Sequence, residues 1–213
     1  MLRAMFPTLF HETAARERGY LRIAGVDEVG RGPLAGPVLA AAVILDPARI
    51  PVGLNDSKVI SVKERQRLHD ELHEVAEVSI GEASVAEIES HNILRASHLA
   101  MLRALDGLTT PPDYALIDGN LMPRDMPFAG EPIIKGDSLS VSIAAASIVA
   151  KICRDCVMLS LAQQHPGYGW ETNMGYGTKS HIEALGKIGV TPHHRRKFKP
   201  VHNILYQDKL TTS

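Results

Sequence analysis

Two adjacent carboxylates, Asp27 and Glu28, close an apolar run that begins at Leu21. A glycine-rich bend carrying one arginine, Gly30-Arg31-Gly32-Pro33-Leu34-Ala35-Gly36-Pro37, follows and leads into a second apolar run, Val38 to Leu45. An unpaired ionised carboxylate away from water is strongly disfavoured, so a pair at the end of a buried strand requires a cation nearby. A glycine corner lets a ligand approach the backbone closely. Two more acids follow short apolar stretches: Asp118 after Tyr114–Ile117, and Asp137 after Glu131–Lys135. Ligands of open α/β sheets gather outside strand ends, where neighbouring connections diverge. Four carboxylates gathered there without cations would raise one another's pKa values. A divalent metal inverts that logic, and oxygen donors select Mg²⁺ or Mn²⁺ over zinc. Two such ions, about 3.5–4 Å apart, can hold the attacking and leaving oxygens of an in-line phosphodiester displacement. Asp118-Gly119 and Asp137-Ser138 are also ordinary turn pairs. Asp27-Glu28 has no such role, and it decides the reading.

Gly30-Arg31-Gly32 does not make a dinucleotide fingerprint, because the third glycine comes at Gly36 and a strand, not a helix, follows. Its backbone can still meet sugar or phosphate oxygens, and Arg31 can pair with a phosphate through two bonds. Lys58 in Asn55-Asp56-Ser57-Lys58, and Lys135, are candidate phosphate contacts or plain surface lysines. His69 and His73 stand four apart on a helix, but the residue after His69 is Asp70 rather than the glutamate a zinc hydrolase needs. Cys153-x-x-Cys156 falls inside a long apolar segment instead of opening a helix after a strand, so redox chemistry does not fit.

The elements that must carry these residues follow from periodicity. Leu21–Asp27 and Val38–Leu45 read as buried strands, and Val78–Ala83 as a third. Ser61-Val62-Lys63-Glu64 is a capping box opening a helix. Val85 to Leu105 reads as one helix, closed by Gly107 and Pro111-Pro112. Tyr114–Ile117 and Glu131–Lys135 are short strands. Ile143–Leu161 is a helix apolar nearly all round, and Thr178 to Lys187 is the last clear one. Together they make an α/β or mixed sheet with helices packed on it.

With 213 residues the chain suits a single domain with a helical appendage. A formal charge of −1 excludes a strongly cationic coat protein but not a local basic patch, which His193, His194, Arg195, Arg196, Lys197 and Lys199 would supply. No apolar stretch reaches the roughly 20 residues of a membrane span. Arg3, Arg16, Arg18 and Arg22 hint at a transit peptide, against which Glu12 and Glu17 argue. The cytoplasm is the expected compartment.

Gly25-Val26-Asp27-Glu28-Val29-Gly30-Arg31-Gly32-Pro33 resembles the signature of the ribonuclease HII family, a type 2 ribonuclease H. Asn55–Lys58, Ile117–Asn120, Lys135–Ser138, Ala144–Ile148, Lys151, Arg154-Asp155, Gly175–Thr178 and His193–Arg196 are similar to that family's motifs, in order. The resemblance implies an RNase H-like mixed five-stranded sheet flanked by helices, three antiparallel strands extended by parallel ones. It also implies one catalytic domain over 1–213, with an N-terminal extension over about 1–20 and a C-terminal helical region over about 165–213.

By the same resemblance the protein is an endonuclease cutting RNA in RNA–DNA hybrids and 5′ to single ribonucleotides in duplex DNA. It would leave 3′-hydroxyl and 5′-phosphate ends. Asp27, Glu28, Asp118 and Asp137 would hold two Mg²⁺ or Mn²⁺ ions. Gly30, Arg31 and Gly32 would grip the sugar-phosphate through the 2′-OH, the group that separates RNA from DNA. Tyr176 would stack on the neighbouring deoxyribose. Asn173-Met174, Val59 and Trp170 depart from the family pattern without touching the acids. A non-catalytic hybrid-binding module is the alternative, but a pure binder gains nothing from four unneutralised negative charges facing phosphates. A monomer would keep a duplex-wide groove open.

Overall fold

Strands β1 (Ile23–Val29), β2 (Val38–Leu45) and β3 (Ala76–Ala83) pair antiparallel in a meander. Strands β4 (Tyr114–Asp118) and β5 (Ala129–Ile133) extend the sheet in parallel on the other side of β1, giving the order β3-β2-β1-β4-β5. This is the mixed five-stranded sheet that the resemblance implied. The computed structural model describes residues 6–206, so Arg3 and the tail beyond Tyr206 lie outside the described residues.

The unbroken apolar runs of β1 and β2 follow from burial on both faces. Ala40 and Ala42 pack with Ala96, Ala100 and Ala104 of helix α4 (Ile93–Asp106). The alternate residues, Ala41 and Val43, pack with Leu68 and Leu72 of α2 (Val62–Val75) and with the alanines of α5 (Val141–Gln164). Small side chains bring α5 close to the sheet. At Gly25 even a methyl group would overlap the Ser142 backbone at the start of that helix. Helix α1 (Phe10–Glu17) locks the same end: buried Glu12 accepts from the Ser142 amide at 2.9 Å and the Ser140 hydroxyl at 2.6 Å. Helices α6 (Trp170–Asn173), α7 (Lys179–Ile188) and α8 (Lys199–Tyr206) form the C-terminal region. Their Trp170, Leu185 and Val201 cluster with Leu34, Ala35 and Met158. No helix among the described residues is long and apolar enough to cross a membrane.

Four local expectations need correction. The single helix expected over Val85–Leu105 is two, α3 (Val85–His91) and α4, because Asn92 adopts φ +73° and its side chain accepts from the Leu94 and Arg95 amides. Ser61 caps the Glu64 amide of α2, but Glu64 pairs with Arg67 instead of completing the box. Strand β5 ends at Ile133, not Lys135: Lys135 is left-handed at φ +59°, and Gly136–Ser138 form one 3₁₀ turn. The expected basic patch is partly interior, since His194 and Arg195 are fully buried. Their side chains satisfy backbone groups rather than solvent, for reasons given below.

Candidate active site

Register alone brings the first acids together. Val26 of β1 lies opposite Ile117 of the parallel strand β4, so Asp27 and Asp118, each one residue further on, sit side by side at the carboxyl ends of neighbouring strands. Glu28 joins them, and ligand oxygens of Asp27, Glu28 and Asp118 all lie within 4.8 Å of one another. Asp137 reaches the same place from the 3₁₀ turn. That turn is tied to β4 by the Gly136 amide, which donates to Asp118 at 2.7 Å. Asp137 does not belong to the tight trio, and the Lys58 ammonium stands 3.2 Å from its carboxylate. His69 and His73 lie on α2 and are not part of this cluster.

The trio is electrostatically frustrated. Burial, then Asp118, Glu28 and Asp137, hold the Asp27 pKa well above the ordinary carboxylate range, against the pull of Lys58. Burial and Asp137 raise that of Asp118, opposed by the Gly136 amide. Burial raises that of Glu28, although Arg31 pairs with it at 3.2 Å and opposes the shift. Burial works against the charged form of Lys58, but Asp56 and Asp137 outweigh it and carry its pKa up to about 12. A set of carboxylate oxygens fits a hard divalent ion. The raised pKa values mark the negative charge that such an ion would offset.

The Gly30–Gly32 bend is held from behind by two buried guanidiniums. Arg195 donates to the carbonyls of Gly30, Arg31, Gly36 and Pro37, and Arg154 to those of Ala35, Pro37 and Met174. Neither has a carboxylate partner among the described residues. Burial and the nearby Arg154 lower the pKa of Arg195 to about 9, still cationic at neutral pH. Gly30, at φ +97°, must be glycine, since a Cβ would fall on the Arg154 side chain. Backbone bonds from Leu34 to Gly175 and from Gly36 to His193 stitch the bend to the C-terminal region. Tyr176 stands over Gly32, with its ring 3.5 Å from where a Cβ would be, and is 48% exposed.

A buried histidine pair holds Tyr176 in turn. The Thr191 amide donates to His194 Nδ1, so the proton of that ring is on Nε2. His194 Nε2–H and Trp170 Nε1–H both point at His181 Nε2, which leaves His181 to donate from Nδ1 to the Tyr176 carbonyl at 2.9 Å. The departures from the family pattern fall around this frame. Asn173 braces the Tyr168 carbonyl and the Gly175 amide, Trp170 is fully buried, and Val59 is exposed. The structural roles of Arg154, Arg195, His181 and His194 escaped the sequence reading. The one available signal, for His194 and Arg195 alone, was a cationic run with no nearby acids.

A mixed sheet flanked by helices, with carboxylates gathered at the ends of its central parallel strands, is an RNase H-like architecture carrying an acidic site suited to divalent ions. The family model described as Ribonuclease HII matches residues 24–201. A protein named Ribonuclease HII from Roseobacter denitrificans is 68% identical over 191 residues, covering 90% of this chain and 96% of its own. Among solved structures, the ribonuclease H2 from Pyrococcus horikoshii OT3 superimposes with a TM-score of 0.75 at 23% identity, over 89% of this chain and 99% of that one. Bst-RNase HIII, solved in complex with Mn²⁺, gives 0.69 at 20% identity over 92% of this chain and 73% of its own. This chain belongs to the ribonuclease HII family, and it is a ribonuclease H, a phosphodiester endonuclease.

Proposed function

We propose that this ribonuclease cuts the RNA strand of RNA–DNA hybrids, and cuts duplex DNA on the 5′ side of a single embedded ribonucleotide, leaving 3′-hydroxyl and 5′-phosphate ends. The observation that carries the reading is the convergence of Asp27, Glu28 and Asp118 directly beside the Gly30–Gly32 bend. Asp27, Glu28, Asp118 and Asp137 would hold two divalent ions, Mg²⁺ or Mn²⁺, whose chemistry is activation of water and neutralisation of charge developing at the phosphate. Gly30, Arg31 and Gly32 bind the sugar-phosphate of the ribonucleotide. The Gly30 and Arg31 carbonyls are fixed by Arg195, so the 2′-OH meets a preorganised edge and no base is read. Tyr176 stacks on the sugar next to it, and its exposed ring beside Gly32 suits that contact. Lys58 neutralises charge around Asp137 and the phosphate. We further propose that residues 1–213 act as one catalytic domain and as a monomer.

An end-labelled duplex carrying one ribonucleotide, compared with its all-DNA counterpart in Mg²⁺, tests this. Cutting of the first alone, at the phosphate 5′ to the ribose, is expected. Cutting of both, or of neither, removes the assignment.

A further inference from the structure

The hollow beside the acids does not stop there. A space of about 150 Å³ lined by Glu28, Arg31 and Asp118 shares Leu94, His98 and Leu121 with a larger one of about 400 Å³, which runs on between α4 and the β4–β5 connection. Arg95 and Arg124 line that larger space against a single carboxylate, Asp125. Arg18, Arg22, Arg49, Arg67 and Arg103 are each matched by an acid. Arg95 and Arg124 form no ion pair among the described residues. Between the two spaces, burial together with Arg31 and Arg124 keeps His98 below its ordinary pKa and therefore neutral at pH 7. A neutral imidazole can donate one hydrogen bond and accept another. Leu94, Leu102 and Leu121 supply an apolar floor. A small inorganic anion would leave that floor uncovered, whereas the sugars of a polynucleotide would cover it.

We propose that this second hollow is a nucleic-acid subsite, taking the sugar-phosphate strand as it continues past the cut, with Arg95 and Arg124 on its phosphates and Leu94 and Leu121 against its sugars. The proposal rests on the nuclease reading above and on two observations: the hollow is continuous with the acid site, and its charge is complementary to phosphate. An acidic peptide is the competing occupant.

Binding of the single-ribonucleotide duplex is measured without divalent ions over a salt series, for the unsubstituted protein, R95Q, R124Q and the double variant. Each lost phosphate contact should flatten the plot of log K against log salt by about 0.9. In Mg²⁺ the double variant should show a raised KM with kcat within about twofold, the pattern of lost uniform binding. Both arginines are exposed, and an unchanged melting temperature confirms that the variants fold. A second measurement needs no variant. Shortening the duplex one base pair at a time should raise KM for the unsubstituted protein when the arm over the hollow is removed. The double variant should be indifferent to that trim. An unchanged salt slope in the double variant overturns the subsite and leaves the hollow to a partner of another class. If the unsubstituted protein cannot cut the duplex, the nuclease reading fails instead.

Discussion

Asp27, Glu28 and Asp118 each bind protons more tightly in the folded chain than in a free side chain. Without divalent ions they therefore weaken the fold increasingly as pH rises above the ordinary carboxylate range. Asp27→Asn and Asp118→Asn should melt higher than the parent protein in metal-free buffer, by about 2–4 °C for each kcal/mol of repulsion relieved. On the proposed mechanism the same variants should lose cleavage by roughly 10³-fold or more, because a carboxylate assigned to the ion site is gone. Added Mg²⁺ should raise the parent's melting temperature by preferential binding to the folded state and barely move that of the variants. Near-normal cutting by either variant in saturating Mg²⁺ would falsify its place in the site. These acids were legible in the sequence because an acid pair ending an apolar run has so few physical excuses. The immediate setting of Asp137 was not, since nothing in Lys135-Gly136-Asp137 announces that the chain leaves the strand early.

The strand–bend–strand unit of β1 and β2 was also plain from composition, but what holds its bend was hidden. A cluster of histidines and arginines reads as a solvated patch until the fold brings backbone carbonyls to it. His194 is the clearest case, with burial, then His181, pushing its pKa down to about 3 from an ordinary 6.5. Between those values the unfolded chain takes up a proton that the folded chain refuses, so stability is lost as pH falls below about 6.5. The slope should approach about 1.4 kcal/mol per pH unit for one such group. His194→Gln should be less stable at pH 7.5, and its stability should fall less steeply than the parent's between pH 6.5 and 5. Parallel denaturation curves for the two proteins across that range would rule this out. The acid cluster shifts stability in the opposite sense, which is why the comparison is made between parent and variant. The break at Asn92 was missed because an asparagine inside a good helical pattern carries no sign of whether it continues the helix or caps a new one.

Across the whole molecule, helices cover both faces of one sheet, and the C-terminal region packs against the bend rather than standing apart. The proposed single domain should then unfold as a unit. The lone tryptophan, Trp170, sits in the C-terminal cluster and reports on it alone. Its fluorescence transition should superimpose on the far-ultraviolet circular dichroism transition, which follows the sheet and its helices. Two separated midpoints would mean that the region from about 165 onward is an independent unit. The order of strands and helices left an α/β or mixed sheet open, and the family resemblance pointed to the mixed one; that α6–α8 complete the bend was not readable, because the contacts join residues far apart in the chain. The bond from Arg195 to the Gly30 carbonyl spans 165 residues. A nascent polypeptide leaving the ribosome therefore carries Asp27, Glu28 and Asp118 long before it carries the brace for the Gly30–Gly32 bend; on the proposed reading, selectivity for ribose would be among the last properties that synthesis confers.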